Sequence, residues 1–116
     1  MRHDTRALGA HGEELAAKWY TARGYDVLAR NWRSPVGELD LVLGRGPLVV
    51  FCEVKARTSR SFGGGVEAVT GAKRARLRRL AAAWLAAHRP DGEREIRFDV
   101  VAVHRGVEIE VVEAAF

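Results

Sequence analysis

Two carboxylates thirteen residues apart, Asp40 and Glu53, with Lys55 two residues past the second, are the side chains here best suited to chemistry. They sit in Gly37-Glu38-Leu39-Asp40-Leu41-Val42 and Val49-Val50-Phe51-Cys52-Glu53-Val54-Lys55. Both stretches mix apolar and polar residues as strands do, and Gly44, Gly46 and Pro47 mark a hairpin between them. Side chains two apart on a strand share a face, so Glu38 goes with Asp40 and Glu53 with Lys55. Pairing Leu43 with Leu48 across the turn sets Asp40 opposite Phe51 and Glu38 opposite Glu53. That register gathers the four polar groups on one side and makes Asp40 and Glu53 diagonal neighbours, roughly 7–8 Å apart at the backbone.

Like charges facing one another across a sheet repel, and partial burial adds a desolvation cost. A divalent cation removes both, since hard oxygen ligands suit Mg²⁺, Mn²⁺ or Ca²⁺. A lysine beside it could bind phosphate or activate water. The plainer alternative is an exposed sheet face with Glu–Lys cross-strand pairs. Val49 and Phe51 fall on the same face, which argues that the face is at least half covered.

The elements that must position these groups follow from periodicity. A helix is expected from about Arg6 to Arg23, ending at Gly24. Leu15, Ala16, Trp19 and Tyr20 form its apolar stripe, with Glu13 on the flank and Glu14 on the far side. Tyr25 to Asn31 reads as a strand, and Trp32 to Pro35 as a loop into the hairpin. Beyond Lys55, the run through Arg57 and Arg60 to Gly63-Gly64-Gly65 reads as a mobile connector, without the spacing of a phosphate loop. A second helix is expected from Ala72 to His88, with Leu77, Leu80, Ala81, Trp84 and Leu85 on one stripe. Its first turns carry Lys73, Arg74, Arg76, Arg78 and Arg79, and positive charge is disfavoured at a helix start. Phosphate binding and a merely solvated face both account for them. Arg76, Arg78 and Arg79 should point away from the stripe, whereas Lys73 and Arg74 flank it. Glu95 to Val103 and Val107 to Val112 read as a closing hairpin around Arg105-Gly106.

The 116 residues fit a single domain spanning 1–116, with 47% hydrophobic content to build a core. No stretch has the length of a membrane span, and no apolar signal follows Met1-Arg2-His3-Asp4, so no membrane association is expected. Cys52 is the only cysteine, which excludes an internal disulfide and favours a cytoplasmic location; it should be a small core residue beside Val50 and Val54. A net charge of +4, carried mostly by arginine, favours an anionic partner such as nucleic acid. The four histidines lack zinc-ligand spacing.

The order of helix with Glu13, strand, hairpin with Asp40 and then Glu53-Val54-Lys55, helix and closing strands resembles the PD-(D/E)XK nuclease superfamily. Within it the chain looks most like the YraN-like family of small bacterial proteins, related to archaeal Holliday junction resolvases. The resemblance spans nearly the whole chain. It is carried by Gly12-Glu13-Glu14-Leu15-Ala16, Gly24-Tyr25, Arg30-Asn31-Trp32-Arg33, Gly37-Glu38-Leu39-Asp40-Leu41, Val50 through Arg57, and Arg97-Phe98-Asp99-Val100. Leu39 stands where the superfamily pattern has proline, and the linker from Asp40 to Glu53 is short.

The resemblance implies an α/β restriction-endonuclease-like fold, with a central mixed sheet flanked by helices in αβββαββ order. It implies that Asp40, Glu53 and the Val54 carbonyl ligate Mg²⁺ or Mn²⁺, with Glu13 joining through water or a second ion. Lys55 would orient the attacking water and stabilise the phosphorane, and Glu38 is a further candidate. Arg33, Arg57, Arg60, Lys73 and Arg74 would hold backbone phosphates. The activity implied is metal-dependent hydrolysis of DNA phosphodiesters, with branched repair or recombination intermediates among the substrates. The alternative is a non-catalytic nucleic-acid-binding module of the same fold. A junction resolvase would need a symmetric homodimer, for which the Val107–Val112 edge or Ala114-Ala115-Phe116 could serve.

Overall fold

The computed structural model describes residues 5–57, 70–88 and 92–116. The elements run α1 (Thr5–Thr21), β1 (Asp26–Ser34), β2 (Gly37–Arg45), β3 (Leu48–Arg57), α2 (Gly71–His88), β4 (Glu95–His104) and β5 (Glu108–Val112). This is the αβββαββ order of a restriction-endonuclease-like fold. Arg60 and the Gly63–Gly65 run, read above as a connector, lie outside the described residues.

One five-stranded sheet holds the strands in the order β1-β2-β3-β4-β5. β1, β2 and β3 form an antiparallel meander, β3 and β4 pair in parallel, and β5 closes antiparallel on β4. A parallel step needs a crossover connection, and α2 belongs to it. α1 covers one face, where Ala16, Ala17 and Tyr20 pack with Leu41, Leu43, Val50, Cys52, Val101 and Val103. α2 covers the other, where Leu77, Leu80, Ala81 and Trp84 meet Leu39, Val42, Val49 and Phe51. Both predicted stripes thus do the packing expected of them. Cys52 is buried on the α1 face with Val50, as its strand position requires.

Four expectations need correction. α1 stops at Thr21, and the amides of Gly24 and Tyr25 bond back to Thr21 and Tyr20 with Gly24 at φ 85°. β1 continues through Trp32 and Arg33 to Ser34, so the expected loop shrinks to a tight turn closed by the Ser34–Gly37 pair. The β2–β3 register is also two residues tighter than Leu43–Leu48: Arg45 pairs with Leu48 and Leu43 with Val50. Gly46 takes φ 57°, which suits the first central position of a type II′ turn. Proline's fixed φ suits the second, so Gly46-Pro47 closes the hairpin alone. A slip of two residues preserves side-chain faces, but alternation breaks at Asp40, because Leu39 packs on the α2 side and Leu41 on the α1 side, so Glu38 and Asp40 do not share a face as expected.

Candidate active site

The β2–β3 ladder runs from Arg45–Leu48 to Leu41–Cys52, and Asp40 is the next residue outward. Its Oδ2 accepts the Val54 backbone N–H at 2.8 Å. A carboxylate therefore takes an amide that a longer ladder would have given to a β2 carbonyl. β3 itself stays paired to β4 through Arg57–His104. The site is thus a notch between two strands, fixed on one side by a central strand.

Asp40 also interacts with the neighbouring Glu53 side chain. Burial is the main reason that the Asp40 carboxyl is pushed up to about 8; the bond to Glu53 and the Glu53 charge add to it, the Val54 amide opposes it, and Glu13 raises it further. Glu53 and Lys55 are both half-buried, two apart on β3. By alternation they continue the face of Val49 and Phe51, which α2 covers. Lys55 stands beside Ala102 of β4.

Glu13 precedes the buried residues Ala16, Ala17 and Tyr20 by three, four and seven positions, which turns it toward the sheet. Burial raises its pKa above the ordinary carboxylate value. The charges of Glu38 and Glu53 add to that, while a side-chain hydrogen bond from Asn31 and the charge of Arg30 oppose it. Three acidic groups from three segments are therefore in electrostatic contact. Glu14, on the outer side, pairs with Arg30 at 3.0 Å, and Glu38 pairs with Arg33 at 3.0 Å.

The basic residues divide. Arg33 is 83% exposed, so its bond to Glu38 is a surface ion pair of little energetic weight, free to exchange for phosphate. Lys73 and Arg74 are half-buried beside the α2 stripe, as expected. Arg74 also lies 5.4 Å from the Phe116 ring. Arg78, expected to point away, instead sits over Phe98 and Phe116 at 5.8 and 5.2 Å. Arginine packs its planar head on aromatic faces, and Phe116 is stacked on Phe98 within its reach. Arg57 is the last residue of β3.

The donor set suits a hard divalent ion: two neighbouring carboxyls, with Asp40 pushed up to about 8 by burial and by Glu53. Among the described residues, no group of three or more His, Cys, Asp or Glu side chains is arranged to hold a metal ion together. Glu13 faces the Asp40–Glu53 pair from α1, within electrostatic reach of both.

Two groups of residues went unassigned in the sequence. Asn31 takes φ 50° within β1 and reaches Glu13; a lone asparagine inside a strand pattern was the available signal. Asp99, 1% exposed, accepts from Tyr20 Oη at 2.6 Å, from the Ala114 amide at 3.1 Å, and from Arg97 through both oxygens at 2.8 and 2.9 Å. Arg97 is two residues away on the same strand, but Tyr20 and Ala114 come from distant segments that no local pattern links to it.

Among the described residues, no helix is long and apolar enough to cross a membrane. Comparison with known proteins places the chain in a family. The model of the uncharacterised protein family UPF0102 matches residues 12–103. A UPF0102 protein of Beutenbergia cavernae is 58% identical over 99 residues, covering 85% of this chain and 83% of that protein. One from Frankia alni is 56% identical over 99 residues, covering 85% and 82%. One from Nocardia farcinica is 52% identical over 101 residues, covering 86% and 78%. The matched region contains Glu13, Asp40, Glu53 and Lys55, and the chain belongs to UPF0102, the YraN family that its motifs resemble.

Proposed function

We propose that this protein is a metal-dependent endonuclease that hydrolyses DNA phosphodiesters, with branched DNA of repair or recombination among its substrates. One observation carries the reading: Asp40, bonded to the Val54 amide, stands with Glu53 in a strand notch, with Lys55 two residues on. Asp40, Glu53 and the Val54 carbonyl would hold Mg²⁺ or Mn²⁺, and Glu13 would act through water or a second ion. The bound ion would supply Lewis acidity, lowering the pKa of the attacking water and neutralising charge on the phosphate. Lys55 orients that water and stabilises the charge developing on the phosphoryl oxygens. Arg33, Arg57, Arg60, Lys73 and Arg74 hold backbone phosphates, contacts that give affinity without base preference.

Cleavage of linear and branched DNAs with Mg²⁺ or Mn²⁺ tests this. Asp40→Ala and Glu53→Ala should abolish cutting and leave DNA affinity intact or raised. Variants that cut as well as wild type would remove the catalytic assignment. A non-catalytic nucleic-acid-binding module is the second reading, favoured by the lack of a three-ligand cluster among the described residues. It predicts salt-dependent DNA binding without cleavage under any metal condition.

A further inference from the structure

We infer that Asn31 is the positioning residue of the candidate site: its left-handed backbone turns β2 over at Asp40, swinging that carboxylate into the gap toward β3, while its side chain holds Glu13. The inference rests on the proposed reading only for what the site binds.

The argument begins with side-chain faces. Residues two apart on a strand share a face. Leu39 packs in the α2 cluster, yet Leu41 packs in the α1 cluster. On β1, Trp32 packs with the α2 cluster, yet Arg30 reaches Glu14 of α1. Leu39 pairs with Trp32 and Leu41 with Arg30, so both strands turn over between the same two rungs. The residues between those rungs are Asn31 and Asp40.

Asn31 has φ 50° there. Non-glycine residues seldom adopt that region, and asparagine is among those that tolerate it. At a turnover a side chain belongs to neither face and points along the sheet. Asp40 behaves accordingly, since it accepts a main-chain N–H from the neighbouring strand. A glycine would supply the backbone conformation alone. Asparagine adds an amide, which bonds to Glu13 and couples α1 to the same point. β1 is the sheet edge, so Asn31 can adopt this geometry without breaking a second ladder.

The experiment separates backbone from side chain. Asn31→Gly keeps the left-handed φ and removes the amide, whereas Asn31→Ala removes both. Hydrogen exchange at the Val54 amide reads the Asp40 bond without any metal. It should be as slow in Asn31→Gly as in wild type and about ten-fold faster in Asn31→Ala, with the Val101 amide unchanged. Mn²⁺ affinity, by calorimetry, should fall about ten-fold in both variants. Equal Val54 protection in all three proteins overturns the inference. Wild type that binds no Mn²⁺ overturns the proposed function instead, and the Val54 result still decides this one. If Asn31→Ala does not fold, the Asn31 side-chain amide resonance of wild type serves: it should shift in Glu13→Gln and stay put in Glu14→Gln, and no shift overturns the inference.

Discussion

Asp99 and Asp40 are both withdrawn from solvent, but the protein treats them in opposite ways. Asp99 has a guanidinium across both oxygens, a tyrosine hydroxyl at 2.6 Å and a backbone amide. Asp40 has one backbone amide and a second carboxyl. The first is a finished structural joint. Arg97 is in turn held above its ordinary pKa, chiefly by its bond to Asp99, and Tyr20 ties α1 to β4. A buried carboxylate held by a guanidinium and two further donors stays charged, whereas one buried beside another carboxyl is pushed toward its protonated form.

The largest test of this contrast is Asp99→Ala, which leaves Arg97 largely uncompensated and strands Tyr20 and the Ala114 amide. It should cost about 3–5 kcal/mol in urea unfolding. Tyr20→Phe removes one bond to the same carboxylate and should cost about 1.5–3 kcal/mol. Asp40→Asn should behave differently. The folded-state pKa of Asp40, about 8, lies above its unfolded value near 4. Between those values the native state keeps a proton that the unfolded chain has lost. Wild-type stability should therefore fall as pH rises from about 4 to about 8, by up to about 1.4 kcal/mol per pH unit. Asp40→Asn should flatten that slope, and an unchanged slope would refute the assignment to Asp40. The smallest effect is Arg33→Ala. Its exposed pair with Glu38 should contribute under about 1 kcal/mol, while DNA affinity drops and depends less steeply on salt.

The sequence made the shared face of Glu53 and Lys55 readable, because a period of two along one strand survives a register error of two. The hairpin turn was misjudged by two residues since Gly44 looked like turn material, although Gly46 and Pro47 suffice. The turnover at Asn31 and Asp40 was not readable, because alternation assumes that a strand never inverts. Asp99 sat within a recognised motif, but its role depends on Tyr20 and Ala114, which meet it only after the sheet has formed. Arg78 was misplaced because a helical wheel knows nothing of Phe98 and Phe116.

The parallel pairing of β3 with β4 has a consequence for how the molecule comes into being. The first three strands can zip up from neighbouring sequence, but Leu48 must wait for Glu95, and such distant contacts form slowly. A nascent chain that has emerged only as far as α2 would already contain Glu13, Asp40, Glu53 and Lys55. It would still lack β4, the neighbour that fixes β3 along its whole length, so the carboxylate cluster would be assembled only when synthesis of the sheet is nearly done.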